Sequence, residues 1–197
     1  ARHAKTNENA GEVLSGQESQ AMLNEEGVAQ ARRLADFLKH EKISHAYVSP
    51  LQRAVHTAEA VLKFHPQVAV VTQESLKEQN LGIYEGKGKA EWKEIKKNIT
   101  EPFHQFKPPQ GESYSELQAR VVQFVKNLAR KHENDAVLLV SHAGTLGMLY
   151  LHLLEKSLTE ENYKTYKPAN AALSVFEVSE KDSPKLHFLN TIEHLAG

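Results

Sequence analysis

The chain contains no cysteine, which excludes disulfides, thiolate metal sites and cysteine nucleophiles. That absence agrees with a reducing compartment. It has no surplus of charge either: 24 basic and 25 acidic side chains leave a formal net charge of -1, so no global field draws it to nucleic acid or an anionic membrane. Recognition of an anion must therefore be local. No run approaches the ~20 apolar residues of a membrane span, and the segment from Arg2 onward is polar and charged, with no visible signal peptide. The expectation is a cytoplasmic protein. Ser49 and Ser141 lie in no Gly-x-Ser-x-Gly elbow, and no Walker-type glycine loop is present. A serine hydrolase and a kinase are both disfavoured.

What the chain does have is histidine, eleven in 197 residues, and 40% hydrophobic side chains, enough for one domain with a sizeable core. Helical spacing of Ala29, Ala31, Leu34, Ala35 and Leu38 predicts a first helix over about 25–40, with Asn24 as its N-cap. A buried strand at 46–48 ends at Ser49-Pro50 and feeds a helix over 51–64; another short strand follows at 68–71. Ser113 and Glu116 have capping-box spacing and open a long helix to about 131. Val137 to Val140 is continuously apolar, as a strand buried on both faces would be, and it ends at Ser141-His142 before a helix over 144–154. A short helix near 159–166 and strands over 173–178 and 186–190 close the chain. The pattern predicts an α/β protein, a three-layer α/β/α sandwich with a mostly parallel central sheet. Ligands in such sheets bind beyond the carboxyl ends of the strands, and here those ends lead straight to Arg53 and His142.

The chemistry-bearing residues come in ordered blocks: Arg2-His3 with Thr6 and Asn9; Ser49 to Ala54 with Thr57-Ala58; Leu76-Lys77-Glu78 with Gly82 and Glu85-Gly86; Gly111-Glu112-Ser113; and Ser141 to Thr145. An Arg-His pair alone is weak, but these blocks in this order over nearly the whole chain resemble the histidine phosphatase superfamily, the phosphoglycerate mutase-like enzymes. The resemblance implies that His3 is phosphorylated as a nucleophile, that Arg2, Arg53 and His142 surround the phosphoryl group, and that Glu78 donates a proton. Asn9, Ala143 and Tyr84 join the expected substrate-binding set. No cofactor and no metal are expected, and the partner is a small phosphorylated substrate; nothing announces an oligomer.

Those residue types suit the reaction on their own terms. Phosphoryl transfer spreads charge over three equatorial oxygens, so catalysis is mainly positioning and electrostatic stabilisation. Arginine supplies a planar, always-charged fork, and a neutral imidazole supplies the nucleophile. Glu78 can act first as acid on the leaving oxygen and then as base on water. The short 86–111 segment resembles the small phosphatase branch, which includes fructose-2,6-bisphosphatase, broad-specificity phosphatases and alpha-ribazole phosphatase. Phosphoglycerate mutase-type transfer and a non-catalytic phosphate-binding module are the alternatives.

The chain departs from the resemblance at Ala4 and Ala143, where glycine is usual; a methyl group at Ala4 would crowd the phosphate or strain the backbone if φ were positive. The family also has a strand immediately before Arg2. Residues 1–197 are thus expected to be a single domain lacking that first strand, with His3 on a free end, and 73–111 a pocket-forming insertion. Lys87 and Lys89 read as a solvated face, with recognition of a second substrate anion as the sharper alternative. His56, on the helix of Arg53, is a candidate to approach the pocket. The remaining histidines show no metal-ligand spacing.

Overall fold

The computed structural model describes residues 1–11 and 13–196. Its central sheet is built from β1 (His45–Val48), β2 (Val70–Thr72) and β3 (Val137–Val140), in the order β2-β1-β3, with both pairings parallel. Strand alternation divides the side chains between two cores. Ala46, Val48, Leu138 and Val140 pack with Leu34, Ala35 and Leu38 of α2 (Glu25–Leu38) and with Ala54, Ala58 and Val61 of α3 (Gln52–Leu62). Tyr47, Val137 and Leu139 pack on the other side with Val121, Val125 and Leu128 of α5 (Tyr114–Lys131), and with Leu146, Leu149 and Tyr150 of α6 (Ala143–Leu153). This is the expected three-layer α/β/α arrangement. Each fully buried aliphatic side chain contributes about 1.5–3 kcal/mol to it. The last strands, β4 (Leu173–Glu177) and β5 (Lys185–Thr191), pair antiparallel as a separate hairpin.

The first residues continue the sheet. Arg2 bridges Ser141 in parallel sense, with His3 N donating to Ser141 O at 2.9 Å and Ser141 N to Ala1 O at 3.0 Å. On their other side Arg2 N donates to Ala172 O and Ala171 N to His3 O. The expectation of His3 on a free end is therefore corrected, because backbone bonds grip it from both sides.

α6 is buried on nearly every face, since α5 covers one side and α7 (Glu160–Tyr166) another. Its N-terminus consequently lies inside the protein, at the end of β3. A four-residue helix, α1 (Asn7–Ala10), follows His3 and is capped by the Thr6 side chain, which accepts from Asn9 N. The sequence pattern placed the first helix later, because four residues are too few to show periodicity. Between β2 and α5 run two 3-10 turns (Glu74–Leu76 and Gly82–Tyr84) and α4 (Lys89–Lys96). Gly82 has φ 52, and a Cβ there would lie 1.9 Å from Pro109 O; only glycine fits. Among the described residues no helix is long and apolar enough to cross a membrane.

The capping box at α5 is complete: Ser113 Oγ accepts from Glu116 N at 3.2 Å and Glu116 Oε2 accepts from Ser113 N at 2.8 Å. Ser113→Ala is expected to cost about 1 kcal/mol, lowering Tm by about 2–4 °C in a chain of this size. Thermal unfolding followed by circular dichroism checks it, and an unchanged Tm would contradict the capping role.

Candidate active site

His3 leaves the sheet edge buried, at 2% exposure. Its Nδ1 lies 2.8 Å from Ala4 O. A carbonyl can only accept, so Nδ1 carries the hydrogen and Nε2 keeps a free lone pair. Burial first, then the charges of Arg2 and Arg53, holds the imidazole well below its usual pKa, against a smaller opposing effect of the Ala4 carbonyl. A neutral ring with its outer nitrogen free is the form a nucleophile needs. Thr57 fixes the turn, accepting from Ala4 N at 3.0 Å and donating to Arg53 O at 2.7 Å.

His142 faces His3, with ring centroids 5.1 Å apart. Its Nε2 is 2.7 Å from Ser49 Oγ. That hydroxyl accepts from Leu51 N; with its own hydrogen directed to Nε2, the ring hydrogen stands on Nδ1. Nδ1 is buried without a protein partner. Burial, then His3, Arg53 and Arg2, keeps His142 well below its usual pKa as well. These surroundings favour a neutral ring that donates one N–H over an imidazolium.

Both guanidinium groups are anchored at their far ends. Arg2 Nη1 donates to Pro168 O at 2.9 Å. Arg53 Nη2 donates to Gly16 O at 2.8 Å, and its Nη1 to Ser19 O and Ser19 Oγ, each at 3.2 Å. Each Nε is buried with no protein acceptor. Desolvation disfavours the charge on both, and the Glu78 carboxylate is the largest opposing influence. Arg2 Nε, Arg53 Nε and His142 Nδ1 thus leave three buried N–H groups unsatisfied by protein, where buried donors are nearly always paired.

Glu78 follows the Glu74–Leu76 turn and meets the N-terminus of α6. Its Oε2 accepts from Gly144 N at 3.0 Å and its Oε1 from Thr145 N at 3.1 Å and Gln79 N at 3.0 Å. A Cβ on Gly144 would lie 2.4 Å from Glu78 Oε1. The glycine this site requires is therefore Gly144, while Ala143 begins the helix with its methyl group buried.

Asn9 stands one layer back. Its Oδ1 accepts from Asn170 Nδ2, which also donates to His3 O. The structure does not bring Tyr84 into this hydrogen-bonded cluster; its ring packs with Trp92 and Phe106, at centroid distances of 5.0 and 6.4 Å. Ala4 is fully buried against Ala31 and Ala171 and lies outside the positive-φ region, so its methyl does not strain the backbone. The strained residue is its neighbour in space, Ala171, at φ 55. His56 lines a groove with Met22, Leu23 and Lys63, not the imidazole cluster.

Several participants had no signal of their own in the sequence. Ser19 Oγ donates to Glu8 Oε2 at 2.5 Å while accepting from Arg53. Glu85 holds the neighbouring loop through Gly16 N and Gln17 N. Tyr163 and Lys167 lie within the field of Arg2 and Glu78. Only the Glu85-Gly86 block had been singled out, for its resemblance.

The profile of the histidine phosphatase superfamily (branch 1) matches residues 1–191. Phosphoglycerate mutase-like protein 4 of Arabidopsis thaliana is 29% identical over 98% of this chain and 84% of its own length. The metal-independent phosphoserine phosphatase of the same plant is 34% identical over 79% of this chain and 68% of its own. Among solved structures, YhfR of Bacillus stearothermophilus superposes with a TM-score of 0.89 at 24% identity, covering 98% of this chain and 96% of that one.

The two lowered imidazole pKa values have a stability consequence. The unfolded chain takes up these protons near the ordinary histidine value and the folded one only at lower pH, so their contribution is full above about pH 6.5 and is lost as pH falls below it. Thermal unfolding between about pH 7 and pH 5 should show a falling Tm. In NMR titrations the ring signals lost in His3→Ala and His142→Ala should have midpoints below about 6.5. Midpoints at or above that value for both rings would contradict the buried, neutral pair.

Proposed function

We propose that this chain, which belongs to branch 1 of the histidine phosphatase superfamily, hydrolyses the phosphate monoester of a small metabolite through a phosphohistidine on His3. The observation that carries the reading is the lone-pair Nε2 of His3 in a cluster with three buried, unpaired N–H donors. That combination suits one nucleophilic attack on one anion.

In the proposed first step His3 Nε2 attacks phosphorus, the P–N bond forms and the P–O bond to the alcohol breaks. The departing oxygen takes a proton from Glu78 in its acid form. Arg2 Nε, Arg53 Nε and His142 Nδ1 donate to the equatorial oxygens where charge spreads. Water then attacks the phosphohistidine, Glu78 accepts its proton, and inorganic phosphate leaves with His3 restored. The charge stabilisation comes from these side chains, so the scheme calls for no metal. The name of the 34% identical relative, a metal-independent phosphoserine phosphatase, agrees with hydrolysis and with that point. The mutase-like relative keeps phosphoryl transfer between substrate positions as the second reading.

The 73–111 segment is the proposed substrate wall, with Tyr84, Trp92 and Phe106 as its aromatic part. Lys87 is paired with Glu91, and Lys89 Nζ donates to Gly11 O. Lys167 is the better candidate for a second substrate anion. Its ammonium lies over the Tyr163 ring, 5.7 Å from the centroid. A phosphorylated acid is the substrate class that a second cation at this position would recognise.

His3→Ala should lose at least about a thousand-fold in kcat/KM and all acid-labile labelling by a phosphorylated substrate. Glu78→Gln should lose about 10²–10⁴-fold in kcat. Equal phosphate release by His3→Ala and the unaltered protein would reject the nucleophile, and no release by either would favour a binding module. Radiolabel moving between phosphoglycerate isomers, in place of release to water, would favour the mutase reading. Lys167→Met should raise KM for phosphorylated acids but not for uncharged phosphomonoesters; an equal rise for both classes would remove it from recognition.

A further inference from the structure

The strands that deliver Ser49 and Ser141 to the phosphate site carry a second cluster at their opposite, amino ends. His45 opens β1, His132 closes α5, and Asp135 lies in the turn that leads into β3. His45 Nε2 is 3.0 Å from Asp135 Oδ2, and His132 Nδ1 is 3.4 Å from the same oxygen. The three ligand atoms all lie within 4.8 Å of one another. The two imidazole rings are close and tilted, with centroids 3.9 Å apart and 38° between their planes. Donor atoms around a tetrahedral zinc ion, each bonded at about 2.0–2.1 Å, are about 3.4 Å apart. The observed separations need only small side-chain movement to match.

The backbone beneath the cluster is fixed. Ser44 N and His45 N both donate to Ala136 O, and Asp135 N donates to His132 O. Asn134, at φ 63, turns the chain so that Asp135 comes back beside His132. The outer nitrogen of His132 is also oriented: Nε2 lies 2.8 Å from Tyr47 OH, which accepts from Lys131 Nζ at 3.3 Å. When a metal takes Nδ1, Nε2 can carry the ring hydrogen and donate it to the tyrosine oxygen. That is the outer-shell arrangement usual for metal-bound histidine, in which the second ring nitrogen is hydrogen-bonded. His132 has only 6% of its side chain exposed, whereas His45 and Asp135 have 40% and 37%. One ligand is thus held and two can be reached from solvent.

We propose that His45, His132 and Asp135 form a binding site for a divalent zinc-like cation, with a fourth position open to water. Two imidazoles and a carboxylate are the donor set that zinc takes, in preference to calcium or magnesium, which take oxygen ligands. The bound ion would tie the start of β1 to the end of α5 and the turn before β3. The arrangement without metal is a hydrogen-bonded cluster in which both rings donate to Asp135, and zinc replaces those protons. The proposal is independent of the phosphatase reading, because none of its residues belongs to the phosphate site.

Titration calorimetry of the full chain with zinc chloride tests it, alongside thermal unfolding with and without the ion. One equivalent should bind with a Kd of about micromolar order or tighter, raise Tm, and weaken as pH falls below about 6 because protons compete for the imidazoles. His45→Ala and Asp135→Asn should each weaken binding about ten-fold or more. Melting curves of both variants without zinc report that they fold, and His45, being partly exposed, is the safer substitution. Binding of only millimolar strength overturns the site, and so does unchanged affinity in both variants. Zinc lost in His3→Ala but kept in His45→Ala would assign the ion to the phosphate pocket and would also overturn it.

Discussion

Arg2 Nε, Arg53 Nε and His142 Nδ1 are buried N–H groups without a protein acceptor, and leaving a buried donor unpaired costs about 1–3 kcal/mol. Three of the four such side-chain nitrogens among the described residues belong to the candidate site, the fourth being His194 Nδ1. Every group involved is anchored through another of its nitrogens: Arg2 to Pro168 O, Arg53 to Gly16 and Ser19, His142 to Ser49. The free nitrogens therefore cannot relax toward other acceptors. The proposed phosphoryl anion would recover their hydrogen bonds without reorganisation, in the way that preorganised donors favour a developing charge.

Parallel strand polarity makes the convergence possible. β1 and β3 end on the same edge, so Ser49 and His142 emerge side by side, and residues 1–3 run beside β3 to bring His3 to that edge. The N-terminus of α6 also points there, and two of its free N–H groups, those of Gly144 and Thr145, are taken by Glu78. The helix end therefore positions a carboxylate. A methyl group on Gly144 would meet Glu78 Oε1 and displace the carboxylate, whereas position 143 carries its methyl buried at the start of the helix.

The long elements were legible because burial writes a period into the sequence. Leu117, Val121, Val125 and Leu128 lie at helical spacing on α5, and Val137 to Val140 read as a strand because both faces are covered. Within the site, Arg53 and His142 were legible as residues that follow strand ends. The second layer was not. Pro168 and Gly16 contribute only carbonyl oxygens, which any residue could supply, and Ser19, Asn170 and Glu8 act through single hydrogen bonds that leave no spacing rule. Ala4 illustrates the converse: its side chain invited an expectation of crowding, whereas the direction of its Cβ, set by backbone geometry, sends the methyl into the Ala31 and Ala171 cluster. Asp135 and His45 are ninety residues apart. Only the pairing of β1 with β3 makes them neighbours.

Histidine is used in two opposite ways along these strands, and the neighbours decide which. At the carboxyl ends, His3 and His142 are buried beside two guanidinium groups, so an added proton or metal cation meets both a desolvation cost and like charge. Such rings are kept neutral and suit contact with an anion. At the amino ends, His45 and His132 share a carboxylate and two of the three groups remain open to water. That donor set is the one proposed above to take a metal ion. A strand rises about 3.3 Å per residue, so the four residues of β1 separate the two environments by more than the reach of a screened surface charge at physiological salt, about 8 Å. The two ends can therefore hold opposite charge preferences without one cancelling the other.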